Sequence, residues 1–135
     1  VTRRGSDITV VSYSRMAAVA LEVAELLAES DGIDVEVVDL RSLRPLDRDT
    51  IIDSVRRTNC AVVLEDDWLT YGIGAEIAAT ISDGAFDWLD APVRRVAMAE
   101  VPLPYSKPLE TAALPQASDA ITAIRETLAA VAGRA

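Results

Sequence analysis

Three consecutive acids, Glu65, Asp66 and Asp67, follow directly on the short apolar run that begins at Cys60. Carboxylates can act as general acids or bases, and they are ligands that hard cations prefer. Neighbouring residues of one chain rarely converge on a cation without further oxygen ligands, and none is evident here. We therefore interpret the triplet as an acidic loop that is solvated or pairs with a partner's arginines, rather than as a metal site.

Two glycines shortly after the acids, Gly72 and Gly74, invite comparison with the G-x-G-x-x-G fingerprint of dinucleotide-binding proteins. The third glycine of that fingerprint would fall at position 77, where the chain has Ile77. The loop before Gly72 is also several residues too long for the tight turn that the fingerprint needs. We predict instead that the glycines lead the chain into a helix, with Glu76 near its positive end.

Few other side chains could react. The sequence has no histidine, which removes the commonest general base near neutral pH and the commonest transition-metal ligand. Its single cysteine, Cys60, excludes an internal disulfide and fits a reducing compartment. Because Cys60 starts an apolar strand, we predict a buried, inert thiol. These features argue against self-contained chemistry.

Alternating strands and helices must position these residues. Runs of apolar and β-branched residues predict strands over residues 7–13, 33–40, 60–64 and 93–98. Helical spacing predicts helices over about 14–30, 47–59, 74–82 and 118–131, with N-caps at Ser14, Asp47 and Ser118. This order predicts one α/β domain over residues 1–135, a sandwich with a largely parallel sheet. The acidic loop then lies at the carboxyl end of the third strand, where ligands and partners usually bind.

Two adjacent arginines, Arg94 and Arg95, suggest that the fourth strand is an edge strand. The segment 100–116 contains four prolines, so we predict no regular structure there. Its interspersed leucines and Tyr105 make it too apolar for a free linker. We expect an extended strap that lies on a surface.

Five of the six aromatic residues fall in segments interpreted as loops: Trp68, Tyr71, Phe86, Trp88 and Tyr105. Aromatic residues on loops are enriched at protein–protein contacts. Local core packing is the alternative, and the sequence favours neither. The aspartates around Phe86 and Trp88 are interpreted like the first acidic loop, as solvated or partner-facing rather than metal-binding.

Composition excludes further classes of function. The formal net charge is −9 and the pI about 4.4, whereas nucleic-acid binding depends on cationic contacts with phosphates. No apolar run is long enough to cross a bilayer, so no membrane partner is expected. Half of the residues are hydrophobic, as in an ordinary soluble protein. The start at Val1 suggests a fragment or a processed product.

Several stretches resemble a known family in the family's own order: SDITVVSYSRM, VEVVDLRSLRPLD, RTNCAVVLEDDWLTYGIGAEIAATI, FDWLDAPVRRV and VPLPYSKPLE with LPQ. They resemble the C-terminal domain of the E1 β subunit of thiamine-diphosphate-dependent 2-oxoacid dehydrogenases, most of all the pyruvate dehydrogenase type. The same type of domain is the C-terminal domain of transketolase and deoxyxylulose-phosphate synthase. The resemblance implies a three-layer sandwich with a five-stranded mixed sheet.

The resemblance also implies a role without chemistry of its own. In the family, thiamine diphosphate and its magnesium, and the catalytic residues, lie outside this domain, so no catalytic, cofactor-binding or metal residue is expected here. The implied partners are the E1 α subunit, a second β subunit in an α2β2 tetramer, and the subunit-binding domain of the E2 acyltransferase. The implied location is the bacterial cytoplasm or the mitochondrial matrix. The expected interface residues are the following: Glu65, Asp66, Asp67, Trp68, Tyr71, Phe86, Trp88, Tyr105, Arg125 and Arg134.

Alternatives stay open at this point. Family members often carry a smaller or less acidic pair where this chain has Asp66 and Asp67, which puts partner contacts at that loop in doubt. The chain could come from a branched-chain 2-oxoacid or acetoin dehydrogenase, or from a transketolase-like enzyme. A different class is a free-standing regulatory module that binds a small ligand near Gly72. For the chain alone we expect no decarboxylation and weak dimerisation through aromatic surfaces.

Overall fold

Four strands form one sheet in the computed structural model, which describes residues 1–133. The elements follow in the order β1 (Ile8–Tyr13), α1 (Ser14–Ser30), β2 (Val35–Leu40), α2 (Arg48–Thr58), β3 (Ala61–Trp68), α3 (Ile73–Ala85), a 3-10 turn (Phe86–Trp88), β4 (Arg94–Met98), α4 (Lys107–Ala113) and α5 (Ala117–Ala132). No helix among the described residues is long and apolar enough to span a membrane.

The sheet has the strand order β2-β1-β3-β4, and all its neighbouring strands are parallel. This confirms the α/β class and the edge position of β4. Within residues 1–133 the sheet has four strands rather than the expected five. A mixed sheet would need one antiparallel strand. In its place, residues 2–3 form an isolated antiparallel bridge between Arg3 and Val37, with only a few hydrogen bonds to the outer edge of β2.

Helices cover both faces of the sheet, which makes three layers. On one face α1 and α5 bury Met16, Leu27 and Ile124 against β1 and β3. On the other face α2 and α3 bury Ile51 and Ile77. Strands that are buried on both faces carry nearly continuous apolar runs, which is why their positions could be predicted.

Several element boundaries differ from the predictions. β3 continues through the acids to Trp68, so Glu65 lies in a strand and not in a loop. Tyr13, not Ser14, is the N-cap residue of α1, because Ser14 is already helical in the hydrogen-bonding pattern. The N-cap of α5 is Gln116 rather than Ser118, since Gln116 and Asp119 form a reciprocal capping box.

The proline-rich segment also differs from its prediction. It contains the short helix α4, in which Pro108 occupies the first turn, where no backbone N–H donor is needed. Residues 99–106 are irregular, as expected of the strap. The strap returns to the sheet where the Ala99 amide donates to the Ala113 carbonyl and where Met98, Ala113 and Leu114 form a small buried cluster.

Candidate functional site

Glu65 is the central residue at the carboxyl end of the sheet. Its side chain is completely buried and points into the layer of α2 and α3. Three donors surround its carboxylate. The Gly74 amide lies 2.6 Å from Oε2, the Tyr13 hydroxyl 3.3 Å from Oε2, and Arg95 Nη2 2.9 Å from Oε1. The prediction of a solvated loop is therefore wrong for Glu65, because these donors satisfy its charge inside the protein.

The carboxylate of Glu65 occupies the amino end of α3. The free amides at a helix amino terminus attract anions, and a phosphate is the usual occupant in nucleotide-binding folds. Here Glu65 takes that position, and a Cβ added at Gly74 would collide with the carboxylate. Gly74 is therefore required for the close approach of Glu65. Glu76 lies in the first turn of α3, as predicted, and pairs with Arg48 on the surface at 2.5 Å.

Tyr13 shares this buried environment. Burial raises the pKa of the Tyr13 hydroxyl well above its usual range, and the negative charges of Glu65, Asp67 and Asp66 raise it further. The hydroxyl therefore stays protonated and donates to Glu65. This arrangement stabilises the start of α3.

Asp66 and Asp67 are half-buried and precede Trp68, the last residue of β3. Asp67 Oδ1 accepts from the Trp68 amide at 2.8 Å, which fixes the turn that follows. Within residues 1–133, no group of three or more acidic, histidine or cysteine side chains is placed to hold a metal ion.

Exposed apolar side chains surround this end of the sheet. We call the following set the rim: Trp68, Leu69, Tyr71, Leu103 and Tyr105. Each is more than two fifths exposed, and both tyrosines are fully exposed. These three aromatic residues are therefore not core residues, which was the alternative for the predicted interface positions.

Two contacts fix the two halves of the rim to each other. The Trp68 indole N–H donates to the Val101 carbonyl at 3.1 Å, and the Thr70 amide donates to Glu100 Oε1 at 2.8 Å. The bonds from the Thr70 side chain and backbone lower the pKa of Glu100. The loop after β3 and the strap after β4 therefore present their side chains from a fixed backbone. Leu69 and Leu103 were not predicted as interface residues, although Leu69 adjoins Trp68 and Leu103 lies two residues before Tyr105.

Phe86 and Trp88 lie elsewhere. They follow the last turn of α3, at the opposite end of the sheet from the rim, so the structure does not bring all the predicted interface aromatics together. Phe86 is largely exposed, and the Arg56 guanidinium lies 4.4 Å from the centre of the Trp88 ring. Cation–π contact of this kind stabilises the half-exposed indole.

Three residues singled out in the sequence remain: Arg125 and Arg134, predicted to lie at an interface, and Cys60, predicted to be a buried thiol. Arg125 pairs with Asp31 at 2.8 Å, which joins α5 to the end of α1. Arg134 lies outside the described residues. Cys60 is buried, and burial, followed by the charge of Asp90, raises the pKa of its thiol. This agrees with the prediction of an unreactive thiol.

Comparisons with known proteins agree on one family. Residues 1–120 match the family "Transketolase, C-terminal domain". The chain is 45% identical over 125 residues to the mitochondrial pyruvate dehydrogenase E1 component subunit beta of Dictyostelium discoideum, covering 93% of this chain and 35% of that protein. It is 46% identical over 126 residues to the corresponding subunit of Rickettsia felis, covering 93% of this chain and 38% of that protein.

A solved structure extends the comparison to three dimensions. A split-gene transketolase, described as an inactive beta4 tetramer, matches with a TM-score of 0.79 at 31% identity, covering 94% of this chain and 40% of that one. The chain spans a little over a third of the length of its curated relatives. Since the family match covers most of the chain, the chain belongs to the transketolase C-terminal domain family.

Proposed function

We propose that this chain is the C-terminal assembly domain of a pyruvate dehydrogenase E1 β subunit. The parent enzyme would decarboxylate pyruvate oxidatively with thiamine diphosphate and magnesium, and would transfer the acetyl group to the lipoyl group of E2. The domain itself would supply binding surface for the subunits and no catalytic group. The relatives named above support the pyruvate dehydrogenase type. One of them is mitochondrial and the other is bacterial, so the proposed location is the mitochondrial matrix or the bacterial cytoplasm.

The rim is the observation that carries this proposal. Contiguous exposed apolar surface on a soluble domain marks a contact site, and aromatic residues dominate the energetics of such sites. The bonds from Trp68 and Thr70 hold the rim in one arrangement before any partner binds. Such pre-organisation lowers the ordering cost of association. The solved relative is a tetramer, which supports a role of this domain type in assembly.

The start of α3 supports the assignment of thiamine diphosphate to other segments of the parent enzyme. A diphosphate would need the amide of Gly74 and the space beside it, and Glu65 already occupies both. A second anion there would meet the buried carboxylate at close range, which is strongly unfavourable. The residues of this site therefore do not fit the cofactor's diphosphate.

Two classes of partner follow from the proposal. The apolar rim suits the E1 α subunit or a second β subunit, since stable subunit interfaces are apolar at their centre. The net charge of −9 suits docking of a basic E2 subunit-binding domain, because opposite charge speeds and orients encounter. If this docking occurs, the affinity for the E2 subunit-binding domain, measured by calorimetry, should fall as the salt concentration is raised. Salt-independent binding would contradict it.

The assembly role can be tested in the full-length β subunit co-expressed with its α subunit. The triple variant Tyr71→Ser, Leu103→Ser and Tyr105→Ser removes apolar area at positions where the native side chains make no hydrogen bond within residues 1–133. Native mass spectrometry should detect α2β2 for the wild type and dissociated subunits for the triple variant.

Leu26→Ser is the matched control, because Leu26 is as exposed as Trp68 but lies near the far end of α1. It should assemble as the wild type does. Unchanged circular dichroism melting of the triple variant would establish that it folds. If the folded triple variant formed α2β2 with wild-type affinity, the assembly role of the rim would be refuted.

A further inference from the structure

One edge strand of the sheet, β2, is covered by another segment of the chain, whereas the other edge strand, β4, is not. Residues 2–6 cover the outer edge of β2, where the Thr2 amide donates to the Val37 carbonyl at 2.9 Å and the Val37 amide donates to the Arg3 carbonyl at 2.9 Å. Within residues 1–133, no segment pairs with the outer edge of β4. An unpaired edge strand presents a row of backbone donors and acceptors and acts as a template for another strand.

A groove of about 560 Å³ follows this free edge. β4 and the residues after it, from Arg95 to Glu100, form its floor, and α5 forms one wall with Asp119 and Glu126. Five extended residues span roughly 16 Å, so the length of β4 matches a short peptide strand.

The charged side chains of β4, the usual obstacles to edge pairing, are already paired within the chain. Charged side chains that project along an edge strand prevent its pairing in many proteins. In β4, however, Arg94 pairs with Glu126 at 2.8 Å, and Arg95 pairs with the buried Glu65 at 2.9 Å. Both arginines are therefore held by the chain's own carboxylates.

The groove lining is acidic. It holds three carboxylates and one arginine, and that arginine is already paired. Glu100 accepts from Thr70, Asp119 accepts from the Gln116 amide and Glu126 pairs with Arg94. A carboxylate has about four acceptor sites, so each can also accept from a cationic side chain. A strand that adds to an edge points alternate side chains to the same face, so a lysine or arginine there would reach the α5 wall.

We propose that the β4 edge binds an extended, lysine- or arginine-bearing segment of another polypeptide as a fifth strand. Backbone hydrogen bonds to β4 would provide affinity, and the carboxylates of Glu100, Asp119 and Glu126 would select basic side chains. This site adjoins the rim at Leu69, but the argument for it rests on the free edge of β4 and its carboxylates. It depends on no part of the proposed function, so either proposal can fail while the other stands.

Hydrogen exchange with synthetic peptides tests the proposal directly on the 135-residue chain. The probe is a capped seven-residue peptide of alternating valine and lysine. A charge control carries glutamate in place of lysine. Two backbone controls carry N-methyl groups on alternate backbone nitrogens, one at the odd-numbered and the other at the even-numbered residues. The lysine peptide should slow exchange at residues 95–99 and leave residues 33–40 unchanged. The glutamate peptide should give no protection, and at least one N-methylated peptide should bind about tenfold more weakly, since methylation removes strand donors.

Charge reversal separates local from overall electrostatics. The double variant Glu100→Lys and Glu126→Lys should bind the lysine peptide roughly tenfold more weakly. The control double variant Glu22→Lys and Glu29→Lys changes the net charge equally on the exposed face of α1 and should bind within about twofold of the wild type.

Three results would overturn the proposal. The first is the absence of protection at residues 95–99 with millimolar lysine peptide. The second is equal binding of both N-methylated peptides, which would indicate surface charge without strand pairing. The third is a dimer in sedimentation whose residues 95–99 are already protected, which would assign the edge to a second copy of the chain.

Discussion

Replacing Glu65 with glutamine keeps the size of the side chain and removes its charge. The carboxylate now accepts from three buried donors on three different elements: Tyr13 on β1, Gly74 on α3 and Arg95 on β4. A glutamine has one acceptor oxygen and one donor group. If its oxygen faces Arg95, its NH2 group faces the Gly74 amide, and the reverse orientation confronts the guanidinium. Either way two donors meet in the interior.

The expected cost follows from this geometry. Breaking a buried ion pair by removing one partner costs about 3–5 kcal/mol, because the remaining charge is left without compensation. Arg95 keeps a little solvent access, at 17% exposure, and the glutamine keeps one acceptor, so the lower figure applies. We predict a loss of about 3 kcal/mol in the free energy of unfolding. For a domain of this size that loss lowers the Tm by about 10 °C and the urea midpoint by about 2 M.

Urea unfolding followed by circular dichroism measures this loss. The matched control is Glu76→Gln, the same change in the first turn of α3, where the native glutamate pairs with Arg48 in solvent at 60% exposure. The control should change stability by at most about 0.5 kcal/mol. If Glu65→Gln also cost less than about 1 kcal/mol, the buried carboxylate would not be what secures the start of α3, and the interpretation of this site would be wrong.

Further predictions concern the same end of the sheet and the single cysteine. Gly74→Ala should cost about 2–3 kcal/mol in urea unfolding because its Cβ would collide with Glu65, whereas Gly32→Ala, which has a φ of +68° in open space, should cost about 1 kcal/mol; equal losses would contradict the collision. Burial raises the pKa of Tyr13, so an ultraviolet titration should contain a component that ionises above the range of free tyrosine and is missing in Tyr13→Phe. Since the native state then holds this proton more tightly than the unfolded chain, the free energy of unfolding should fall as pH rises above about 10, and this slope should shrink in Tyr13→Phe. Cys60 should react slowly with a thiol reagent in the native chain and quickly in urea, and a fast native reaction would show that the thiol is not buried.

Local signals were sufficient for most helices and strands. Asp47 was predicted as a cap and its carboxylate does accept from the Thr50 amide at 3.1 Å, with Arg56 and Arg57 in the last turn of α2. The predicted strand over 33–40 is close to the observed Val35–Leu40. In each case the determining interaction lies within a few residues of the signal, so a single segment of sequence contains it.

Glu65 could not be placed from its own segment. An acid after an apolar run usually marks the end of a strand, and the sequence interpretation stopped β3 there. The residues that make its burial favourable lie 52, 9 and 30 positions away, at Tyr13, Gly74 and Arg95. Only the sheet order brings them together. The residues next to an acid at the end of an apolar run therefore do not show whether that acid is solvated or paired.

Proline was weighed too heavily as a helix breaker in α4. Pro108 stands in the first turn, where its fixed φ suits a helix and its missing N–H costs nothing. Pro115 follows the helix end, where it stops continuation. One proline in the first turn and another just after the end are typical of a short helix, so the sequence was sufficient to predict α4. The rim leucines were missed for a different reason, since exposure depends on how the strap folds back.

Hydrogen exchange on the assembled enzyme tests the central claim most directly. Full-length β subunit is compared alone and in complex with its α subunit. The account predicts that assembly slows exchange at residues 68–73 and 99–105, which carry the rim, while residues 26–34 exchange at the same rate in both states. Unchanged exchange at both rim segments in an intact α2β2 complex would contradict the claim that this domain functions through that surface.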